Sequence, residues 1–231
     1  MIHPIDVYYT FIEDWDLENV QNSLLEEELN QMKSILHFPT LKQKMINRAL
    51  LKYSLFDRHK IQNDQVILEY NEREKPLLKN HPNMHFNSSH SHNLVVVALT
   101  EHCPLGVDVE FIHKLLDEDE IVKNFFSHAE YSSYKNSHLR CSNPFFQFWT
   151  AKEAVIKALG KGLWEGSEVP EVICQDDCFS LKNESNILLD WSLVFLKLHN
   201  AYSTCLAINK QNVGIKTHYV PYEQWSVGLS R

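Results

Sequence analysis

Two short segments constrain this chain more than any others: Gly106-Val107-Asp108-Val109-Glu110 and Trp149-Thr150-Ala151-Lys152-Glu153-Ala154-Val155-Ile156-Lys157. In the first, β-branched valines alternate with carboxylates. A strand therefore sends Asp108 and Glu110 to one face and Val107 and Val109 to the other. In the second, Glu153 and Lys157 are four apart, so a helix places them one turn above each other. Together the segments supply carboxylates for a hard cation and an ammonium beside it, a donor set suited to Mg²⁺ and a diphosphate.

At 231 residues the chain makes one large domain or two small ones, with enough length for a substantial core. Apolar residues are 44% of it, the composition of a folded globular protein. A net charge of -8 argues against non-specific nucleic-acid binding, which needs a basic face, and leaves room for a local basic pocket. Cysteines 103, 141, 174, 178 and 205 form no Cys-x-x-Cys pair and read as reduced thiols. The start, Met1-Ile2-His3-Pro4-Ile5-Asp6, has no signal-peptide pattern, and the apolar run from Leu94 to Leu99 has a buried strand's length. These features predict a soluble, cytoplasmic protein without a membrane segment.

Hydrophobic spacing predicts a strand over Val7–Ile12, a helix over 17–36 and a second helix over 41–56. A strand at Val66–Tyr70 follows, then a polar, proline-bearing loop over 71–83. Strands at His85–Asn87 and Leu94–Leu99 are joined by a Ser/His/Asn turn. Helices are expected at Glu118–Phe126, Ala129–Tyr134 and Pro144–Ala158, the last ended by Gly160-Lys161-Gly162. Alternating stretches at Trp191–Leu198 and Tyr202–Ile208 suit an antiparallel sheet. The class is α+β, with a seam near residues 100 to 106.

In order along the chain stand Lys75-Pro76, His85-Phe86-Asn87-Ser88-Ser89-His90-Ser91, the Gly106–Glu110 segment, Phe125-Phe126-Ser127-His128-Ala129-Glu130-Tyr131, and Phe148 to Lys157 continuing into Gly160-Lys161-Gly162-Leu163. This series resembles the 4'-phosphopantetheinyl transferases of the larger, single-chain type. The resemblance covers about Lys75 to Leu163, with motifs in family order. It implies two similar α+β lobes forming an internal pseudo-dimer, residues 1–104 and 105–231, the second carrying the metal ligands and the active site lying between them. It also implies a monomer that moves the phosphopantetheine arm of coenzyme A to a serine of an apo acyl or peptidyl carrier protein, releasing 3',5'-ADP.

Carried over residue by residue, the resemblance makes Asp108, Glu110 and Glu153 the Mg²⁺ ligands. Lys157 neutralises phosphate charge, and Asp108 shares in binding the co-substrate. The base for the serine proton is Glu130 or Glu153. Ser89 and His90, in a turn after a strand, offer donors to coenzyme A phosphates. Lys75, Arg48 and Lys44 serve the 3'-phosphate or adenine end. Two departures stand out. Glu74 takes the place of a glycine before Lys75-Pro76, and Ser88 replaces a larger apolar residue, which should cost core packing.

Each motif alone has a blander reading. A Val-Asp-Val-Glu strand can have a merely solvated face, and Glu153 with Lys157 can be a surface pair worth roughly 0.2–0.5 kcal/mol. The rival functions are a non-catalytic module binding coenzyme A or a carrier protein, and a metallohydrolase built on His85, His90 and His92. The Phe145, Phe146, Phe148, Trp149 cluster reads as core.

Overall fold

The computed structural model describes residues 3–137, 143–160, 169–176, 178–183, 186–188 and 190–228. Lys161, Gly162, Leu163 and Cys141 lie outside the described residues. The chain divides into two units, Met1–His102 with Gly214–Arg231, and Cys103–Val213.

The first unit opens with β1 (His3–Phe11), α1 (Leu17–Ser23), α2 (Glu26–Met32) and α3 (Phe38–His59). The helix expected over 17–36 is thus two. Leu24 and Leu25 are extended between them, because Leu24 turns into the core and Glu28 reaches back to the Leu25 amide at 2.8 Å. α3 has Pro39 in its first turn and a left-handed Lys60 at its end, and its apolar face enters the unit's core through Met45, Ile46, Ala49 and Leu50.

β2 (Leu68–Tyr70) and β3 (Pro76–Leu78) form a small hairpin where a loop was expected after Tyr70. The Asn71 side chain closes it by accepting from the Arg73 and Lys75 amides at 3.0 and 2.9 Å. Glu74 stands there with φ 59°, the left-handed region glycine enters cheaply, which explains why a glycine would suit this position. β4 (His85–Ser91) and β5 (Leu94–Thr100) make a tight antiparallel hairpin through His92 and Asn93. The strand runs four residues further than expected, so Ser88 to Ser91 are ladder residues and the turn is shorter.

The second unit begins at β6 (Leu105–Phe111), followed by α4 (Glu118–Phe125), α5 (His128–Ser137) and α6 (Pro144–Leu159). Gly160 ends α6 with φ 65°. β7 (Glu171–Gln175), β8 (Cys178–Asn183) and β9 (Asn186–Ile187) form one antiparallel sheet. β10 (Ser192–Phe195) and β11 (Tyr202–Ile208) join β6 in another, ordered β10-β11-β6, with Asp108 opposite Cys205 and Glu110 opposite Ser203. The aromatic residues Phe145, Phe146 and Phe148 are core, as their clustering suggested.

The chain then returns to the first unit. β12 (Val213–Tyr219) pairs beside β1, giving the order β12-β1-β5-β4, and α7 (Tyr222–Gly228) follows. Val220 and Trp225 fill the first unit's core, while His218 stacks on Tyr8 and bonds Asp6 at 2.9 Å. This differs from the expected lobe 105–231. The division falls at 102/103, and the last residues complete the opening strand's sheet, whose edge they cover.

α6 lies directly on β6. A Cβ at Gly106 would stand 2.1 Å from the Ala154 carbonyl oxygen and 2.4 Å from the Ala158 amide nitrogen. Only a residue without a side chain fits under this helix backbone. Ala151, Ala154 and Ala158 on the helix and Cys205 and Ala207 on β11 keep the same seam thin. Gly106→Ala should therefore destabilise the chain by about 1–3 kcal/mol or more, read as a lower denaturation midpoint. An unchanged midpoint would show that the seam is slack.

Candidate active site

Residues 106, 108 and 110 share the face of β6 that α6 covers. Asp108 is consequently buried at 3% exposure, and its Oδ1 accepts from Lys157 Nζ at 2.6 Å. The carboxylate face is therefore no solvated surface. Glu153, one turn before Lys157, has an Oε1 that is buried and accepts no hydrogen bond among the described residues. Burial first, then Asp108 and Glu110, raise the Glu153 carboxyl to about 7 against the opposing effect of Lys157 and Lys152. Asp108, Glu110 and Lys157 thus all lie within electrostatic reach of Glu153.

Asp108, Glu110 and Glu153 are oxygen donors of the kind a hard cation takes. Among the described residues, however, no three His, Cys, Asp or Glu side chains gather closely enough to hold a metal ion by themselves.

Glu130 sits in different company. It is 1% exposed, at the third position of α5, and closes a capping box with Ser127: Ser127 N donates to Glu130 Oε2 at 2.8 Å and Glu130 N to Ser127 Oγ at 3.2 Å. Lys152 Nζ donates to the same Oε2 at 2.6 Å, and Val172 N to Oε1 at 3.0 Å. Sequence reasoning quoted Lys152 in its motif without seeing this partner, 22 residues earlier in the chain.

In the first unit a cavity of about 400 Å³ is lined by Lys44 and Arg48 from α3, Ser88 and His90 from β4, and Leu68 and Tyr70 from β2. Arg48 and His90 are thus brought together, with Lys44. Ser89, next along the strand, points to the opposite face and is buried. Both Ser89 and His90 lie in the β4 ladder rather than in a turn. Ser88 lines the cavity, so the small residue there leaves ligand space rather than a packing defect.

Two residues here escaped sequence reasoning. Lys52 is fully buried and donates to Glu28, which also sits 3.4 Å from Arg48 Nε. Burial lowers the Lys52 ammonium's proton affinity despite that partner. The available signal was spacing: Lys44, Arg48 and Lys52 are four apart, so one face of α3 presents three cations while Glu28 answers two of them.

Lys75 does not line this cavity. It is half-buried on the β2–β3 hairpin, and burial lowers its amine to about 8. It in turn lowers His85, whose own burial is the larger cause.

The chain matches two family models. The 4'-phosphopantetheinyl transferase N-terminal model covers residues 13–102, and the 4'-phosphopantetheinyl transferase superfamily model covers 104–207. It is 35% identical to the 4'-phosphopantetheinyl transferase gsp of Aneurinibacillus migulanus, over 52% of this chain and 49% of the relative. It is 32% identical to psf-1 of Bacillus pumilus, over 53% and 52%. The L-aminoadipate-semialdehyde dehydrogenase-phosphopantetheinyl transferase of Rattus norvegicus is 22% identical over 87% of this chain and 72% of the relative. The chain thus spans about half the length of the first two relatives. The two models describe one family and together match most of the chain. The chain belongs to the 4'-phosphopantetheinyl transferase superfamily. Among the described residues no helix is long and apolar enough to cross a membrane.

The lowered Lys75 amine is directly testable. Its folded-state value lies below the unfolded one, so the buried ammonium destabilises the folded chain below pH 8, and that penalty fades as pH rises from about 8 towards 10.5. Acylation of Lys75, followed by peptide mass spectrometry across pH, should show a midpoint near 8. A midpoint near the ordinary lysine value of about 10.4 would contradict the assigned burial.

Proposed function

We propose that this chain transfers the 4'-phosphopantetheine arm of coenzyme A to a serine of an apo acyl or peptidyl carrier protein, releasing 3',5'-ADP. The observation that carries the reading is the Lys157–Asp108 pair at 2.6 Å beside a Glu153 carboxyl raised to about 7 by burial and by its acidic neighbours. A pure binding module has no need of a carboxylate buried like Asp108 beside a lysine. The two family models and the named relatives support the same reading.

The chemistry is attack of a serine oxygen on the β-phosphorus of a diphosphate. The serine O–P bond forms, the bridging P–O bond breaks, and the nucleotide phosphate leaves with the electron pair. Mg²⁺ would be held by Asp108, Glu110 and Glu153 together with phosphate oxygens, and when bound it supplies charge neutralisation at the diphosphate. Lys157 adds a fixed cation beside it. The raised carboxyl of Glu153 and its unbonded Oε1 favour it over Glu130 as the acceptor of the serine proton.

The nucleotide end belongs with the basic cavity of the first unit. Lys44, Arg48 and His90 offer charge to a phosphate there, and Leu68, Tyr70 and Phe86 offer apolar walls to a base. Lys75, expected at the 3'-phosphate or adenine end, and Ser89 do not line this cavity. The similar build of the units, each with one long helix over an antiparallel sheet, supports an internal pseudo-dimer.

Incubated with coenzyme A and Mg²⁺, the protein should add one phosphopantetheine to an apo carrier by intact mass. Asp108→Ala should abolish this while the unfolding transition persists, and Lys157→Ala should slow it about 100- to 1000-fold. Unmodified carriers across acyl and peptidyl types would refute the function; full activity of Asp108→Ala would refute the site.

A further inference from the structure

We infer that Lys152 is a positioning residue for the transfer, acting through Glu130, and that Glu130 serves this pair instead of taking the serine proton. The inference deepens the proposed function and rests on it. Both Glu130 oxygens are already engaged, Oε2 by Ser127 N and Lys152 Nζ and Oε1 by Val172 N, at 2.8, 2.6 and 3.0 Å. At 1% exposure the carboxylate offers an incoming serine no approach. A proton acceptor has to come within hydrogen-bond reach of the proton it removes, directly or through one water.

What the arrangement does instead is mechanical. Glu130 starts α5, Val172 lies on β7, and Lys152 projects from the middle of α6. Ser127 extends the network, donating from Oγ to Glu171 at 2.6 Å. One buried carboxylate thus ties three elements. Lys152 immediately precedes Glu153, about 100° away around the helix axis. α6 is seated on β6 at Gly106, where the backbones nearly touch. That contact alone leaves the helix free to roll. The Lys152–Glu130 pair, on another side of the helix, stops the roll and keeps Glu153 and Lys157 aimed at Asp108.

A double-mutant cycle tests this, with wild type, Lys152→Met, Glu130→Gln, the double variant and Lys152→Arg assayed on coenzyme A and an apo carrier. Misaimed groups cost about tenfold to a hundredfold. Each single variant should lose that much kcat with KM for coenzyme A changed less than about threefold, because the substrate's other contacts persist. The double variant should be no slower than the worse single, since both changes release one constraint. Lys152→Arg, which keeps the ion pair, should restore most of kcat.

Losses that multiply in the double variant would overturn the inference. So would a large loss in Glu130→Gln alone with Lys152→Met unaffected, which would make Glu130 the base. Unfolding midpoints identify any single variant that does not fold. The double variant, which leaves no lone buried charge, and Lys152→Arg then decide: a slow double variant with an active Lys152→Arg supports the pair, and the reverse overturns it. Should wild type modify no carrier, the proposed function fails and the pair is judged by amide hydrogen exchange of α6. Faster exchange there in Lys152→Met and Glu130→Gln alike supports it, and unchanged exchange in Lys152→Met overturns it.

Discussion

The near-contact of α6 with β6 at Gly106 is the constraint on which the rest of the second unit depends. With no side chain between them, helix and strand approach closely enough for Lys157 to reach Asp108 at 2.6 Å. A wider spacing would let water between these groups, and the pair would become the weakly coupled surface kind. The thin seam of alanines and Cys205 extends the approach along the helix. Because α6 covers the sheet face, it also buries Asp108 and desolvates Glu153, whose carboxyl gains proton affinity as a result.

The two units use charge in different ways. In the second, acids outnumber the lysine they surround, so the cluster favours added positive charge. In the first, Lys44, Arg48 and Lys52 follow one face of α3 while Glu28 pairs with two of them, and the neighbouring cavity favours added negative charge. The overall charge of -8 conceals this local polarity.

Much of this was legible from local pattern. The alternation over Gly106–Glu110 and the four-residue spacing of Glu153 and Lys157 define their faces before any tertiary contact exists, and β6 and α6 follow them. Illegible parts depend on distant partners. The break at Leu24-Leu25 arises because Glu28 turns inward to Lys52, which continuous apolar spacing conceals. β3 was hidden by Pro76, and it exists because the Asn71 side chain closes the hairpin. The return of Val213–Tyr219 to β1 depends on pairing across some two hundred residues. Glu130 illustrates the same limit: nothing in its residue type or motif points to Lys152 and Val172 as its partners.

The most direct measurement of the central claim is release of 3',5'-ADP from coenzyme A in the presence of two carriers, one native and one with its acceptor serine replaced by alanine. One nucleotide should be released per native carrier and none with the replaced one. Nucleotide release that ignores the serine, or no release with any native carrier, would contradict it.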